Sequence, residues 1–87
     1  MYLHLGQSVM VPLDEIIGIF DLDNTTWSHR TRRFLERAEI NGQVITVGDD
    51  LPRSFVLCRT GDGEDRVYIS QLNTVTLLRR AEQNGME

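Results

Sequence analysis

The stretch Ser54-Phe55-Val56-Leu57-Cys58-Arg59-Thr60-Gly61-Asp62-Gly63-Glu64-Asp65-Arg66-Val67-Tyr68-Ile69-Ser70 decides how this chain folds. An apolar run, a short break rich in Gly and Asp, and a second run of β-branched and aromatic residues read as a strand over 54–60, a hairpin connection over 61–65 and a strand over 66–70. Successive side chains alternate across a strand, so Phe55 and Leu57 point one way while Val56 and Cys58 point the other. Both sides are apolar. A strand of this kind needs cover above and below, and the rest of the chain must supply it.

Moving outward, Tyr2-Leu3-His4-Leu5, Gly6-Gln7-Ser8 and Val9-Met10-Val11 read as two short strands around a turn, with Pro12 ending the second because it has no N–H to donate. Ile16-Ile17-Gly18-Ile19-Phe20 is an apolar, β-branched run that predicts a strand buried on both faces, and its glycine suggests a close approach of backbone. Asp23-Asn24-Thr25-Thr26 supplies helix N-cap chemistry. Trp27, Thr31, Phe34, Leu35 and Ala38 then fall on one helical face, and Asn41-Gly42 marks its end. Residues 43–47 read as a strand, and Gly48-Asp49-Asp50-Leu51-Pro52 as a loop. A last helix starts near Asn73, with Val75, Leu77, Leu78 and Ala81 as its apolar residues and Arg79 and Arg80 in its final turns, where cations favour the helix dipole. The expected fold class is α+β: a small, mainly antiparallel β domain with two short helices, one domain over residues 1–82 and a flexible tail over 83–87.

At 87 residues such a domain buries only about 60% or slightly more of its unfolded surface. Two short helices do not easily cover two-sided strands, so burial between subunits is expected. No apolar run approaches the roughly 18 to 20 residues a bilayer crossing needs, and the first residues lack the basic and apolar regions of a signal peptide. A cytoplasmic location without membrane contact is expected. The single cysteine, Cys58, lies in an apolar strand and rules out an internal disulfide.

Phe20-Asp21-Leu22-Asp23-Asn24-Thr25 after an apolar strand looks like the first motif of the haloacid dehalogenase superfamily, in which the first aspartate attacks phosphorus and the second acts as acid and base beside magnesium. Gly48-Asp49-Asp50 resembles that superfamily's later acidic motif. That fold is a parallel sheet with helical crossovers of roughly 30 residues each, and too little chain separates the two acidic clusters to build it. Capping of the following helix accounts for the first cluster without catalysis. His4 and His29 show no metal-ligand spacing, Gly61-Asp62-Gly63 is flanked by acids that repel phosphate, and no serine sits in a nucleophile motif. The expectation is a non-enzyme with no catalytic residue, no metal and no cofactor.

A net charge of −4 opposes binding of nucleic acid over the whole surface and leaves room only for a local basic patch. All nine basic residues are arginines, whose planar forks suit phosphate and guanine. Arg30, Arg33 and Arg37 follow i, i+3, i+7 spacing and form one stripe, with Arg32 placed to pair with Glu36 at i, i+4. A solvated face, or ion pairs across a subunit boundary to residues such as Asp49 and Asp50, explains the stripe as well as an anionic ligand does.

Tyr2-Leu3-His4-Leu5-Gly6, the run from Asp14 to Asp21, Pro52-Arg53-Ser54-Phe55-Val56, Tyr68-Ile69-Ser70-Gln71-Leu72 and Thr76-Leu77-Leu78-Arg79-Arg80-Ala81 together resemble the RemA/RemB family of bacterial extracellular-matrix regulators, on its RemB-like side. The resemblance implies a compact, largely β domain of LytTR-like architecture that closes into a ring. It implies binding to promoter DNA through arginines displayed around that ring. Family members carry one such arginine just before the long apolar strand and a pair in the loop before the second half, and Glu15 and Asp50-Leu51 stand at those positions here. Arg53 is the nearest basic residue left in the loop, so the expected DNA contacts move to Arg53 and to Arg30, Arg33 and Arg37. The resulting expectation is a ring-forming transcriptional regulator of matrix or biofilm genes, partnered by copies of itself, by promoter DNA or by another regulator. The alternative is an assembly module that does not touch DNA.

Overall fold

The computed structural model describes residues 1–22 and 29–85. Strands β1 (Tyr2–Gly6) and β2 (Val9–Pro12) form an antiparallel hairpin, and a single 3-10 turn, Leu13–Glu15, leads into β3 (Ile16–Asp21). Helix α1 spans His29–Ile40 and is followed by β4 (Val44–Thr46), β5 (Ser54–Arg59), β6 (Asp65–Ser70) and helix α2 (Thr74–Gly85). The second sheet has the order β3-β5-β6-β4, antiparallel except for the parallel pair β4 and β6. Strands β3 and β4 therefore run the same way on opposite edges, joined through α1, with the β5–β6 hairpin inserted between them. This is a split β-α-β arrangement. The α+β fold with mainly antiparallel strands and two helices is as the sequence predicts.

Strand β5 carries the structure, because both of its faces are covered. On one side Val56 and Cys58 pack with Leu3, Leu5 and Val11 of the hairpin, with Val47 and with Leu77 of α2. On the other side Phe55 packs with Ala38 of α1 and Val67 of β6, and Leu35, Val44, Leu57 and Ile69 close around them. Each fully buried Leu or Val contributes about 1.5 to 3 kcal/mol relative to exposure. The hairpin, which no helix-counting argument credits as cover, shields one whole side of the sheet together with α2.

Hydrogen bonds hold these layers in register. Ser54 and Ser70 are cross-strand partners, both 0% exposed. The Ser70 hydroxyl donates to the Leu5 carbonyl of β1 at 2.9 Å and accepts the Leu72 N–H at 3.1 Å. The Ser54 hydroxyl donates to the Leu72 carbonyl at 2.7 Å. Helix α2 starts where predicted, because the Asn73 side-chain oxygen accepts the Thr76 N–H at 2.8 Å. Helix α1 stops where predicted: Gly42 N–H bonds to the Glu39 carbonyl and Gln43 N–H to the Ala38 carbonyl, the paired bonds of a Schellman end.

Three expectations change, and a fourth lies outside the described residues. The run from Ile16 to Phe20 is a strand but lies at a sheet edge: Ile16 and Ile19 pack on the core, while Ile17 is 54% and Phe20 43% exposed, because β5, not β3, takes the doubly covered central place. Gly18 sits at a register shift, and its close neighbour is the Phe20 ring, 2.8 Å from where a Cβ would stand, rather than another backbone. Arg79 and Arg80 are in the middle of α2, which continues to Gly85 and so runs into the segment 83–87 expected as a tail; the Arg80 guanidinium donates to the His4 carbonyl at 3.1 Å. The proposed N-cap residues 23–26 and Trp27 fall outside the described residues.

Two predictions follow from the core. Ser70→Ala leaves the Leu5 carbonyl and the Leu72 N–H without their buried partner, and should lower the unfolding free energy in urea by about 1 to 3 kcal/mol. The Cys58 thiol is pushed up to about 11 by burial, with the Glu15 charge adding to the effect. A folded-state pKa above the unfolded one gives stability that is intact below about pH 9 and lost as pH rises toward 11. Urea titrations across that window should show the loss, and Cys58 should resist alkylation at pH 8 until the chain is unfolded.

Candidate functional site

Helix α1 is the most cationic element of an acidic chain. It carries Arg30, Arg32, Arg33 and Arg37 against Glu36 and Glu39, a balance of +2 where the whole chain has −4. Helical geometry puts Arg30, Arg33 and Arg37 along one side, and all three side chains are exposed. Among the described residues none of the four α1 arginine side chains makes a hydrogen bond or ion pair, so the expected Arg32 to Glu36 pair is not formed.

Most arginines elsewhere are engaged, the exception among the described residues being the exposed Arg79 of α2. Arg59 bonds both carboxylate oxygens of its cross-strand partner Asp65, at 2.7 and 3.3 Å, and that hydrogen bond holds the Asp65 carboxyl below its ordinary range. Arg66 lies 3.9 Å from Glu64. Arg53 is exposed and sits just before β5, where its backbone N–H bonds to the Ser70 carbonyl and its carbonyl accepts the Leu22 N–H. The structure thus groups Arg30, Arg33 and Arg37 on one helix and leaves Arg53 on a separate loop beside the end of β3.

At the start of the stripe, α1 and the sheet border an open, shallow cleft of about 250 Å³ lined by Phe20, Arg30, Thr31, Phe34, Phe55 and Leu57. Phe20 stacks on Phe55 with ring centroids 4.7 Å apart, and Phe34 stands 6.4 Å from Phe55. Sequence reading assigned these three phenylalanines to two strands and a helix and did not bring them together. The register pair of Phe20 with Phe55 does so, and it depends on which strands are neighbours, which no local pattern encodes.

The two acidic clusters have separate settings. Asp21 ends β3, which is antiparallel to β5 rather than part of a parallel sheet. Asp49 and Asp50 are exposed in the loop after β4, where Asp50 accepts the Leu51 N–H on its own carboxylate. Gly48 has φ of +81°, and a Cβ there would collide with the Gln71 side chain, which bonds to the Val47 carbonyl at 3.4 Å. A backbone requirement therefore explains this glycine. Among the described residues no group of three or more His, Cys, Asp and Glu is arranged to hold a metal ion. Likewise no helix of the described residues is long and apolar enough to cross a membrane.

A two-faced sheet that bears on one covering helix an arginine stripe unpaired among the described residues defines the chain as a small α+β domain with a basic helix face. No family model matches it. It is 30% identical over 82 residues to extracellular matrix regulatory protein B of Bacillus subtilis (strain 168), an alignment covering 94% of this chain and 91% of that protein. The chain belongs to the extracellular matrix regulatory protein B family. That membership agrees with the resemblance carried by the segments quoted above.

Replacing Gly48 by Ala should destabilise the fold by about 1 to 3 kcal/mol, since it combines a left-handed backbone with a steric clash. Gly61→Ala, where no atom lies within 4 Å of the added Cβ and φ is ordinary, should change stability by less than about 0.5 kcal/mol. Paired urea denaturation curves test the contrast.

Proposed function

We propose that this chain is a transcriptional regulator of extracellular-matrix genes that assembles into a ring and acts by binding, with promoter DNA held by the arginine face of α1. The observation that carries the regulatory reading is the nearly full-length match to extracellular matrix regulatory protein B. The DNA contact is supported by Arg30, Arg33 and Arg37, which are exposed and make no pairs among the described residues, and Arg53 is the second candidate contact. Ring assembly is supported by two sheet-edge strands, β3 and β4, and by the exposed Ile17 on the first of them. A head-to-tail contact between unlike edges closes into a ring when the rotation permits. A LytTR-like relationship goes with this reading. The absence of a catalytic role is part of the same proposal, and the antiparallel setting of Asp21 favours it.

A second reading, a regulator's assembly partner that does not touch DNA, is favoured by Glu15 and by the exposed Asp50 at positions where the family's DNA-contacting arginines are expected. Salt separates the two. Three neutralised phosphates give a log–log salt slope of about −2.7, or roughly 40-fold weaker binding between 50 and 200 mM salt for each engaged subunit. The direct reader should show that slope with matrix-gene promoter DNA, and Arg30→Ala/Arg33→Ala/Arg37→Ala should flatten it, with Arg53→Ala acting independently. Glu15→Arg/Asp50→Arg should strengthen binding. An intact oligomer with no affinity for DNA at 50 mM salt would leave the assembly-partner reading.

A further inference from the structure

We propose that the cleft between α1 and the β3–β5 edge is a site for a small amphipathic carboxylate, an aromatic or acyl chain ending in one negative charge. Its walls are Phe20, Phe34, Phe55 and Leu57, and among the described residues Arg30 is the one charged group that lines it. The volume of about 250 Å³ is below that of a drug-sized pocket and matches a ligand of about a dozen heavy atoms. The stacked pair Phe20 and Phe55, with Phe34 tilted against it, presents ring faces and edges that favour a further aromatic or methylene body.

Charge selects among possible occupants. Arg30 makes no pair among the described residues, and its fork can take both oxygens of a carboxylate. An apolar cleft with a single cation at its edge fits one anionic group with an apolar body better than a polyanion, which needs the whole stripe. Phe20 and Phe34 are 43% and 39% exposed, so a ligand removes aromatic surface that the fold itself leaves in water. An occupant would neutralise Arg30, and so alter the same helix face that carries Arg33 and Arg37.

The test uses the full chain, with 4-phenylbutyrate and the uncharged 4-phenylbutanol as matched probes in calorimetric titrations at low salt. Saturable binding of both is expected, with the acid about tenfold tighter. Arg30→Gln should remove the advantage of the acid and leave the alcohol unchanged, while Phe20→Ala should weaken both. Arg79→Gln, which removes an exposed arginine of α2, should alter neither. Arg30 is exposed, so its variant should keep the far-ultraviolet circular dichroism of the parent. The proposal is overturned by failure of both probes to bind at millimolar concentration, as when a second copy covers the cleft. Equal affinities, or an acid advantage that survives Arg30→Gln, overturn it as well.

Discussion

Two buried hydroxyls, those of Ser54 and Ser70, are the constraint on which the rest of the structure depends. They face each other across the central hairpin, where unpaired polar atoms would be costly. Instead they reach to the Leu5 carbonyl and to both backbone groups of Leu72, so that the β1–β2 hairpin and the entry to α2 are tied to the same point of the sheet. Apolar contacts alone fix which face is buried but not where along the strand a neighbour docks. The serines set that position, and Leu77 and Val11 then meet Val56 and Cys58 in one cluster.

With one face sealed in this way, the other is left to α1. Because α1 joins strands on opposite edges of the sheet, it must cross that face. Its buried residue, Ala38, is small and sits near its C-terminal end, while Phe34 near the middle is only partly covered. The aromatic cleft and the arginine stripe are therefore features of one element, generated by a helix that carries much charge and little apolar bulk.

Much of this was legible in the sequence. The alternation of Phe55, Val56, Leu57 and Cys58, the Gly- and Asp-rich hairpin, the Asn73 cap and the Gly42 stop are local signals, and local signals predict elements. The edge position of β3 was not legible, since an apolar run reads alike whether a neighbour chain segment or solvent lies beside it. Nor was the parallel pairing of β4 with β6, which follows from the route of α1. In the sequence Ser54 and Ser70 read as strand residues outside any nucleophile motif, and their buried bonds do not show, because a hydroxyl bonded to a residue 65 positions away leaves no mark on its own neighbourhood. The arginine stripe is visible from helical periodicity; its lack of partners among the described residues and the place of Arg30 beside three phenylalanines are matters of tertiary geometry.

The 65-residue separation between Ser70 and Leu5 also governs the order in which the molecule can form. Residues 2–12 leave the ribosome before β6 and α2, and their apolar side has nothing to dock on until β6 and then Leu77 have been made. Contacts this distant in sequence slow folding, since a long loop must close before they contribute. During synthesis the hairpin is therefore an exposed, sticky strand pair, and β6 and α2 are what remove it from the reach of chaperones and of other nascent copies.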